Sequence, residues 1–150
     1  MLDRNIRLNL WMNPYVSKHS EVYDKIKPYT GSHTVWLGEV PDYSMPEACK
    51  IMTDHFRKHL GISGYKMDEN DGYDSWLWPD VATFPSGIPA EQLRNLYGSL
   101  MQQATVKMYR EKNLRTYGQV RAGNAGTNAY PYVLYNDYYD HRGFITALIN

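Results

Sequence analysis

The sequence has one cysteine, no net charge and no long apolar run. A single cysteine, Cys49, excludes an internal disulfide framework and a zinc site built from several cysteines. Sixteen basic residues balance sixteen acidic ones, so the basic excess of nucleic-acid binders and the polybasic signal of membrane-surface proteins are both missing. No apolar run approaches the roughly 18 residues that a membrane helix needs. We therefore expect neither a nucleic acid nor a membrane as partner.

Aromatic residues with a polar group are abundant instead. The chain of 150 residues, one domain by length, has 14 Tyr and 4 Trp but only 3 Phe. Tyr and Trp combine a rigid apolar ring with a hydrogen-bonding group, which suits surfaces that bind polar ligands. Trp11, Trp36, Trp76 and Trp78 are each a candidate sugar platform, and packing in the core or in a loop is an equally good explanation for each alone.

Hydrophobic periodicity predicts strands that alternate with helices. The predicted strands cover residues 6–12, 33–40 (a strand or one arm of a hairpin), 62–67, 115–120 and 130–135. The predicted helices cover residues 20–27, 44–60 and 89–112, with a last one from about His141. Ser44 and Glu47 have the spacing of a capping box at the start of the second helix. Residues 70–88 form a long loop, and loops of this length are often functional.

This alternation is typical of a parallel sheet with helical crossovers, and two architectures fit it. One is a small doubly wound sheet that binds a ligand. The other is part of a (β/α)₈ barrel, which needs at least about 200 residues when complete. A doubly wound fold usually has a glycine-rich phosphate loop after its first strand, but Asn13-Pro14-Tyr15 stands there and no G-x-G-x-x-G or Walker A motif occurs. Periodicity alone leaves both architectures open.

Two carboxylates follow predicted strands, which is where parallel α/β folds build their sites. Asp68 ends the strand over residues 62–67, and Asp137 follows the strand over residues 130–135. Arg121 ends the strand between them in sequence, and Lys66 lies on the same face as Asp68 because side chains alternate along a strand. Two carboxylates that flank one bond are what glycoside hydrolysis requires. Solvated loop acids and a structural Lys66–Asp68 ion pair are the alternative explanations.

A metal site is less well supported. His55 and His59 have the i, i+4 spacing of helical metal ligands, but no glutamate follows His55 as it does in an H-E-x-x-H motif. We expect no metal here.

Five segments carry a family resemblance, in the same order as in the family. They resemble the LWxNP, D-[FY]-x-N-P-E-A, GFKxD, R-[SA]-G and YP…W-x-G-D motifs of glycoside hydrolase family 31, and they cover residues 10–15, 42–48, 64–68, 121–123 and 130–137. The resemblance implies an α/β fold, namely a partial (β/α)₈ TIM barrel with about strands three to six of eight. Residues 1–150 would then form one fragment of a catalytic barrel.

The resemblance also implies a chemistry, which is retaining, exo-acting hydrolysis of an α-glycoside. In this family the residue at Asp68 is the nucleophile and the residue at Asp137 is the general acid/base. Together with the residue types, the resemblance leads us to expect that the substrate is bound by Trp11, Trp36, Lys66, Arg121 and Tyr135. No metal or organic cofactor is needed. The implied partners are a glycoside or oligosaccharide substrate, the rest of the barrel and accessory β-domains.

The sequence departs from the family pattern near the expected sugar. Glu69-Asn70-Asp71-Gly72 replaces the usual FGE, and Tyr135 and Asn136 replace Trp and Gly. These departures predict that an α-galactoside competes with an α-glucoside as substrate. The alternative is a barrel remnant that binds carbohydrate without turnover. Because a partial barrel leaves sheet edges and apolar surface uncovered, we expect this chain alone to be inactive and to self-associate.

Overall fold

The structure is a computed structural model that describes residues 2–59, 61–69, 78–123, 126–134, 142–143 and 145–146. The strands are β1 (Asn9–Met12), β2 (Val16–Ser17), β3 (Thr30–Val35), β4 (Gly38–Pro41), β5 (Gly64–Met67), β6 (Gly118–Val120) and β7 (Tyr132–Leu134). The α-helices are α1 (Tyr23–Ile26), α2 (Pro46–Phe56) and α3 (Ala90–Arg110). Short 3₁₀ helices cover Leu2–Arg4, Lys27–Tyr29, Arg57–His59 and Thr127–Ala129.

A parallel sheet organises the part of the chain that the structure describes. Its strand order there is β1-β5-β6-β7, and every neighbouring pair is parallel. The helix α2 connects β1 to β5, and α3 connects β5 to β6, as parallel pairing requires. The predicted α/β barrel strands are therefore confirmed, although each is shorter than its hydrophobic run. The carboxyl ends of all four strands meet at one edge of the sheet.

The two faces of this sheet have different environments. Tyr65 and Met67 are buried on the face that α2 and α3 cover, where the ring of Tyr65 lies 5.8 Å from that of Phe56. Lys66 alternates with them and faces the other side, level with Trp11 of β1 and Gln119 of β6. Trp11 is 51% exposed on that open face. The open face at the carboxyl edge is thus the place where polar side chains accumulate.

A small antiparallel sheet precedes α2, and the sequence predicted only part of it. Its order is β2-β4-β3, and β3 and β4 form a hairpin inside the stretch predicted as a strand or hairpin arm. Trp36 and Leu37 form its two-residue turn with φ angles of 51° and 60°, as in a type I′ turn. The predicted helix over 20–27 is shorter, because Pro28 allows only a 3₁₀ turn after α1.

The capping box predicted at Ser44 is wrong. The N-cap of α2 is Met45, with Pro46 in the first turn and no side-chain cap. The Ser44 hydroxyl instead donates to Asp42 Oδ1 at 2.5 Å, and the Ser44 amide reaches the same oxygen at 3.2 Å. The amide of Ser86 donates to Asp42 Oδ2 at 3.0 Å. A fully buried carboxylate needs hydrogen-bond donors. Ser44 therefore donates to Asp42 and does not cap the helix.

Three residues in the described part of the long loop, Trp78, Ala82 and Phe84, pack into the core. Trp78 is 2% exposed, its indole N–H donates to the Ala90 carbonyl at 3.0 Å, and its ring contacts Phe84 and Tyr97. Packing, and not sugar contact, explains Trp78. Trp76 lies outside the described residues, as does most of the helix predicted from His141, of which residues 142–143 and 145–146 are helical. No helix within the described ranges is long and apolar enough to cross a membrane.

Candidate active site

Asp68 stands where β5 ends, at the carboxyl edge of the parallel sheet. Its amide donates to the Met12 carbonyl at 2.9 Å and continues the pairing of β5 with β1 by one residue. The residue is only 3% exposed although its side chain is charged. A carboxylate is rarely buried to this extent unless donors and cations surround it.

Four donors surround the Asp68 carboxylate. The indole nitrogen of Trp11 and the ammonium group of Lys66 each lie 2.8 Å from Oδ2. The amide of Glu69 lies 3.1 Å from Oδ1, and a guanidinium nitrogen of Arg121 lies 3.3 Å from the same oxygen. Three adjacent strands supply these groups, since Trp11 belongs to β1, Lys66 to β5, and Arg121 directly follows β6. The sheet therefore brings together four residues that the sequence had singled out.

These contacts determine the ionisation of Asp68. Burial by itself raises the pKa of this carboxyl, but hydrogen bonds from Lys66 and Trp11, the Lys66 charge and the Glu69 amide lower it. The net result is a pKa below the ordinary value for aspartate. Asp68 is thus an ionised carboxylate at neutral pH, with a lysine and an arginine beside it.

Close packing behind β6 holds Arg121 in place. Its amide donates to the Met67 carbonyl at 3.2 Å, and its side chain is only 6% exposed. The next residue, Ala122, lies against Gly98 of α3, where an added Cβ would come within 2.6 Å of the Ala122 Cβ. The Gln102 amide group also donates to the Ala122 carbonyl at 3.1 Å. The absence of a side chain at Gly98 lets α3 fix the segment that carries Arg121.

Tyr15 is a residue of this site that sequence reasoning did not single out. Its hydroxyl donates to the carbonyl of Glu69, the residue that follows Asp68. Its amide donates to Asn13 Oδ1 at 2.9 Å, and its ring centroid lies 6.3 Å from that of Trp36. The available signal was its position directly after the Asn13-Pro14 stop of the first strand, at the edge where Asp68 also lies.

Trp36 joins the site from the antiparallel sheet. It is 46% exposed at the β3–β4 turn. Its ring lies beside that of Tyr15, whose hydroxyl bonds to the residue after Asp68. Trp11 and Trp36 are therefore the two exposed tryptophans of the described site. Both carry exposed apolar ring surface, and Trp11 also contacts the charged Asp68, which is a combination that sugar binding uses.

Two predicted site residues, Tyr135 and Asp137, lie outside the described residues. The strand before them, β7, ends at Leu134, and it is the second strand from β5 with β6 between them.

The histidine pair His55 and His59 could suggest a metal site, but an ion pair with Glu21 explains His55 more simply. His55 Nδ1 lies 2.9 Å from Glu21 Oε1. Within the described ranges no group of three or more His, Cys, Asp or Glu side chains could hold a metal ion.

Comparison with known proteins identifies the family of the chain. The chain matches the family described as "Glycosyl hydrolases family 31 TIM-barrel domain" over residues 1–148. No curated protein matches it.

Several solved structures share the fold. A cycloalternan-degrading enzyme from Trueperella pyogenes superposes with a TM-score of 0.70 at 19% identity, over 87% of this chain and 21% of that chain. A family 31 sulfoquinovosidase from E. rectale gives 0.69 at 23% identity, over 86% and 21%. An uncharacterised protein from Listeria monocytogenes gives 0.74 at 18% identity, over 99% and 16%.

The chain spans about a fifth of the length of the first two of these structures. At these identities the structural likeness shows the fold, while the family match extends over nearly all residues. The chain therefore belongs to glycoside hydrolase family 31, within its TIM-barrel domain.

Proposed function

We propose that this chain carries the nucleophile and part of the sugar site of a retaining, exo-acting α-glycoside hydrolase. The single observation that carries the proposal is the buried, ionised Asp68 with Lys66, Arg121 and Trp11 around it. A carboxylate that attacks an anomeric carbon must be ionised beforehand, and its lowered pKa meets that requirement.

The reaction has two steps. In the first, an Asp68 oxygen forms a bond to the anomeric carbon while the bond to the leaving oxygen breaks, and Asp137 gives its proton to that oxygen. In the second, Asp137 takes a proton from water, the water oxygen attacks the anomeric carbon, and the ester to Asp68 breaks. The configuration is retained because the anomeric carbon is inverted twice.

The assignment of Asp137 is supported by topology and by the family motif. It follows β7 by three residues, and β7 ends at the same sheet edge as β5. A retaining mechanism needs the two carboxyl groups about 5–5.5 Å apart. This spacing is compatible with β5 and β7, which have one strand between them, because side chains at a barrel mouth converge towards the barrel axis.

The proposed substrate is an α-glucoside or α-galactoside, held by Trp11, Trp36, Lys66, Arg121 and Tyr135. Lys66 and Arg121 can donate hydrogen bonds to sugar hydroxyls as well as to Asp68, and the exposed ring of Trp11 offers a stacking surface. The departures at Glu69, Tyr135 and Asn136 favour galacto-configured substrates as serious competitors. Family members differ widely in substrate, as the sulfoquinovosidase and the cycloalternan-degrading enzyme illustrate by name.

The proposed activity requires a complete barrel. The described sheet ends at β1 on one side and at β7 on the other, and the related structures are several times longer than this chain. We infer that further barrel strands and accessory β-domains in a full-length protein complete the sugar site. All activity tests below therefore use that full-length protein.

The deciding experiment combines substrate profiling with labelling. The full-length protein is assayed on nitrophenyl α-glycosides, and a fluorinated α-glycoside is used to trap the ester intermediate. We expect the label on Asp68, and we expect Asp68→Asn to abolish turnover because an amide cannot form the ester. The matched control is Asp80→Asn, which changes an exposed aspartate and should leave turnover unchanged.

Other outcomes decide against parts of the proposal. A label on Asp71 or Asp74 would contradict the role of Asp68. Sugar binding without turnover of any glycoside would favour the non-catalytic remnant. A hundredfold preference for α-glucosides, about 2.7 kcal/mol at the transition state, would contradict the expected competition from galactosides.

A further inference from the structure

We propose that Tyr15 is a positioning residue that fixes the turn carrying the nucleophile and couples it to the β3–β4 hairpin. This inference rests on the proposed function of Asp68. It adds a residue that acts through the Glu69 peptide.

Two hydrogen bonds link Tyr15 to the Asp68 carboxylate through Glu69. The Tyr15 hydroxyl donates to the Glu69 carbonyl, and the Glu69 amide donates to Asp68 Oδ1 at 3.1 Å. Both bonds involve the backbone of Glu69, so the orientation of this residue links the tyrosine to the carboxylate. A shift of the Glu69 backbone would lengthen or misalign a bond that helps to hold Asp68 ionised.

The backbone of Glu69 has an unfavourable conformation. Its φ angle is 63°, in the left-handed region that residues with a side chain adopt reluctantly. Such conformations persist only where the surroundings hold them, and they cluster at functional sites. The hydrogen bond from Tyr15 is a contact that holds Glu69 in this conformation.

Tyr15 is itself held in place by neighbouring residues. Its amide is bonded to Asn13 Oδ1, and its ring lies beside that of Trp36 with an interplanar angle of 54°. Gly38 of β4 packs so closely that an added Cβ would come within 2.8 Å of the Tyr15 Cβ. The hairpin and the end of β1 thus fix Tyr15 from two sides, and through it they fix the Glu69 peptide.

The hairpin side of this linkage is also strained. Trp36 and Leu37 both have positive φ, and Leu37 is 91% exposed at the tip of the turn. A type I′ turn favours Asn-Gly, but two bulky apolar residues occupy it here. This placement keeps the Trp36 ring against Tyr15, so contacts made at the hairpin can reach the nucleophile turn.

The test is Tyr15→Phe in the full-length protein, which keeps the ring and removes only the hydroxyl. On an activated nitrophenyl glycoside we expect kcat to fall about tenfold to a hundredfold with KM within about twofold, because positioning of the nucleophile affects the chemical step. We also expect the acidic limb of the kcat/KM profile to move to higher pH, since a weakened Glu69–Asp68 bond raises the pKa of Asp68.

Tyr109→Phe is the matched control. The Tyr109 hydroxyl donates to the Ile62 carbonyl at 2.8 Å, near the opposite end of β5, so this variant also removes a bond from a tyrosine to the backbone. We expect it to lower the melting temperature without moving kcat or the acidic limb. Circular dichroism of both variants confirms that each is folded at the assay temperature.

The outcomes separate the two proposals. If Tyr15→Phe lowers only the melting temperature, as Tyr109→Phe is expected to do, Tyr15 is structural and this inference is wrong while Asp68 keeps its role. If Asp68→Asn remains active, the proposed function is wrong and no pH limb can be assigned to Asp68. A loss of kcat with a shifted acidic limb, found for Tyr15→Phe alone, supports the inference.

Discussion

The indole nitrogen of Trp11 donates a hydrogen bond of 2.8 Å to Oδ2 of Asp68, across two neighbouring parallel strands. The two residues are 57 positions apart in the sequence. The bond fixes the plane of the carboxylate against β1, while Lys66 reaches the same oxygen from β5 itself. Two neighbouring strands, β1 and β5, therefore help to define the position and the charge of one side chain.

The Lys66 contact should control the acidic limit of activity. In Lys66→Met the strongest contribution that lowers the pKa of Asp68 is lost, so this pKa rises. The acidic limb of kcat/KM then moves to higher pH, because the nucleophile must be deprotonated. Trp11→Phe, which removes a weaker donor, should move the limb less. An unchanged limb in Lys66→Met, measured over pH 3 to 7, would contradict this account.

The same shift should appear in the pH dependence of stability. The folded-state pKa of Asp68 is lowered, so its contribution to the free energy of unfolding is present above the unfolded value of about 3.9. It is lost as the pH falls through the folded-state pKa. Urea unfolding should therefore show that the unsubstituted protein loses more stability than Asp68→Asn between neutral pH and about pH 3, because the variant has no carboxyl group to titrate at this position. Equal losses would show that Asp68 does not contribute.

The residues of the β3–β4 turn should lower the stability of the protein while they help to bind the substrate. Replacing Trp36 and Leu37 by Asn and Gly suits a type I′ turn and removes the left-handed strain of two bulky residues, each worth roughly 1–2 kcal/mol. We expect a higher melting temperature together with a higher KM, because the Trp36 ring is lost. Leu37→Gly alone is the control, and it should raise stability with KM unchanged. A lower melting temperature in both variants would contradict the strain argument.

Asp42 should be essential for the structure and dispensable for the chemistry. Its carboxylate accepts bonds from Ser44 and from the Ser86 amide, 44 residues away. Asp42→Ala leaves buried donors unpaired and should lower the free energy of unfolding by about 2–4 kcal/mol. Asp42→Asn keeps one acceptor oxygen and should lose less. Chemical denaturation measures both, and a loss below 1 kcal/mol in the alanine variant would be inconsistent with this role.

Asp137 should show the signature of a general acid/base. Asp137→Ala removes the proton donor, so substrates with poor leaving groups should slow far more than activated aryl glycosides, which need little protonation. Rates on a natural disaccharide and on a dinitrophenyl glycoside provide the comparison. Equal losses on both substrates would exclude this role for Asp137.

The sequence by itself determined the elements that repeat at short range. Alternating side chains placed Lys66 and Asp68 on one face, and strand–helix alternation predicted the parallel strands β1, β5, β6 and β7. The order of the motifs gave the family and placed Arg121 next to Asp68. These features are readable because periodicity and motif spacing depend on neighbours along the chain.

Only the tertiary structure decided which distant groups meet. It placed the Tyr15 hydroxyl on the Glu69 carbonyl, paired β2, β4 and β3 into a second sheet, and brought the Ser86 amide to the Asp42 carboxylate. Trp78 became a core residue, while Trp11 and Trp36 stayed exposed. Contacts of this kind depend on how buried polar groups find partners across long loops, and no local pattern in the sequence encodes that choice.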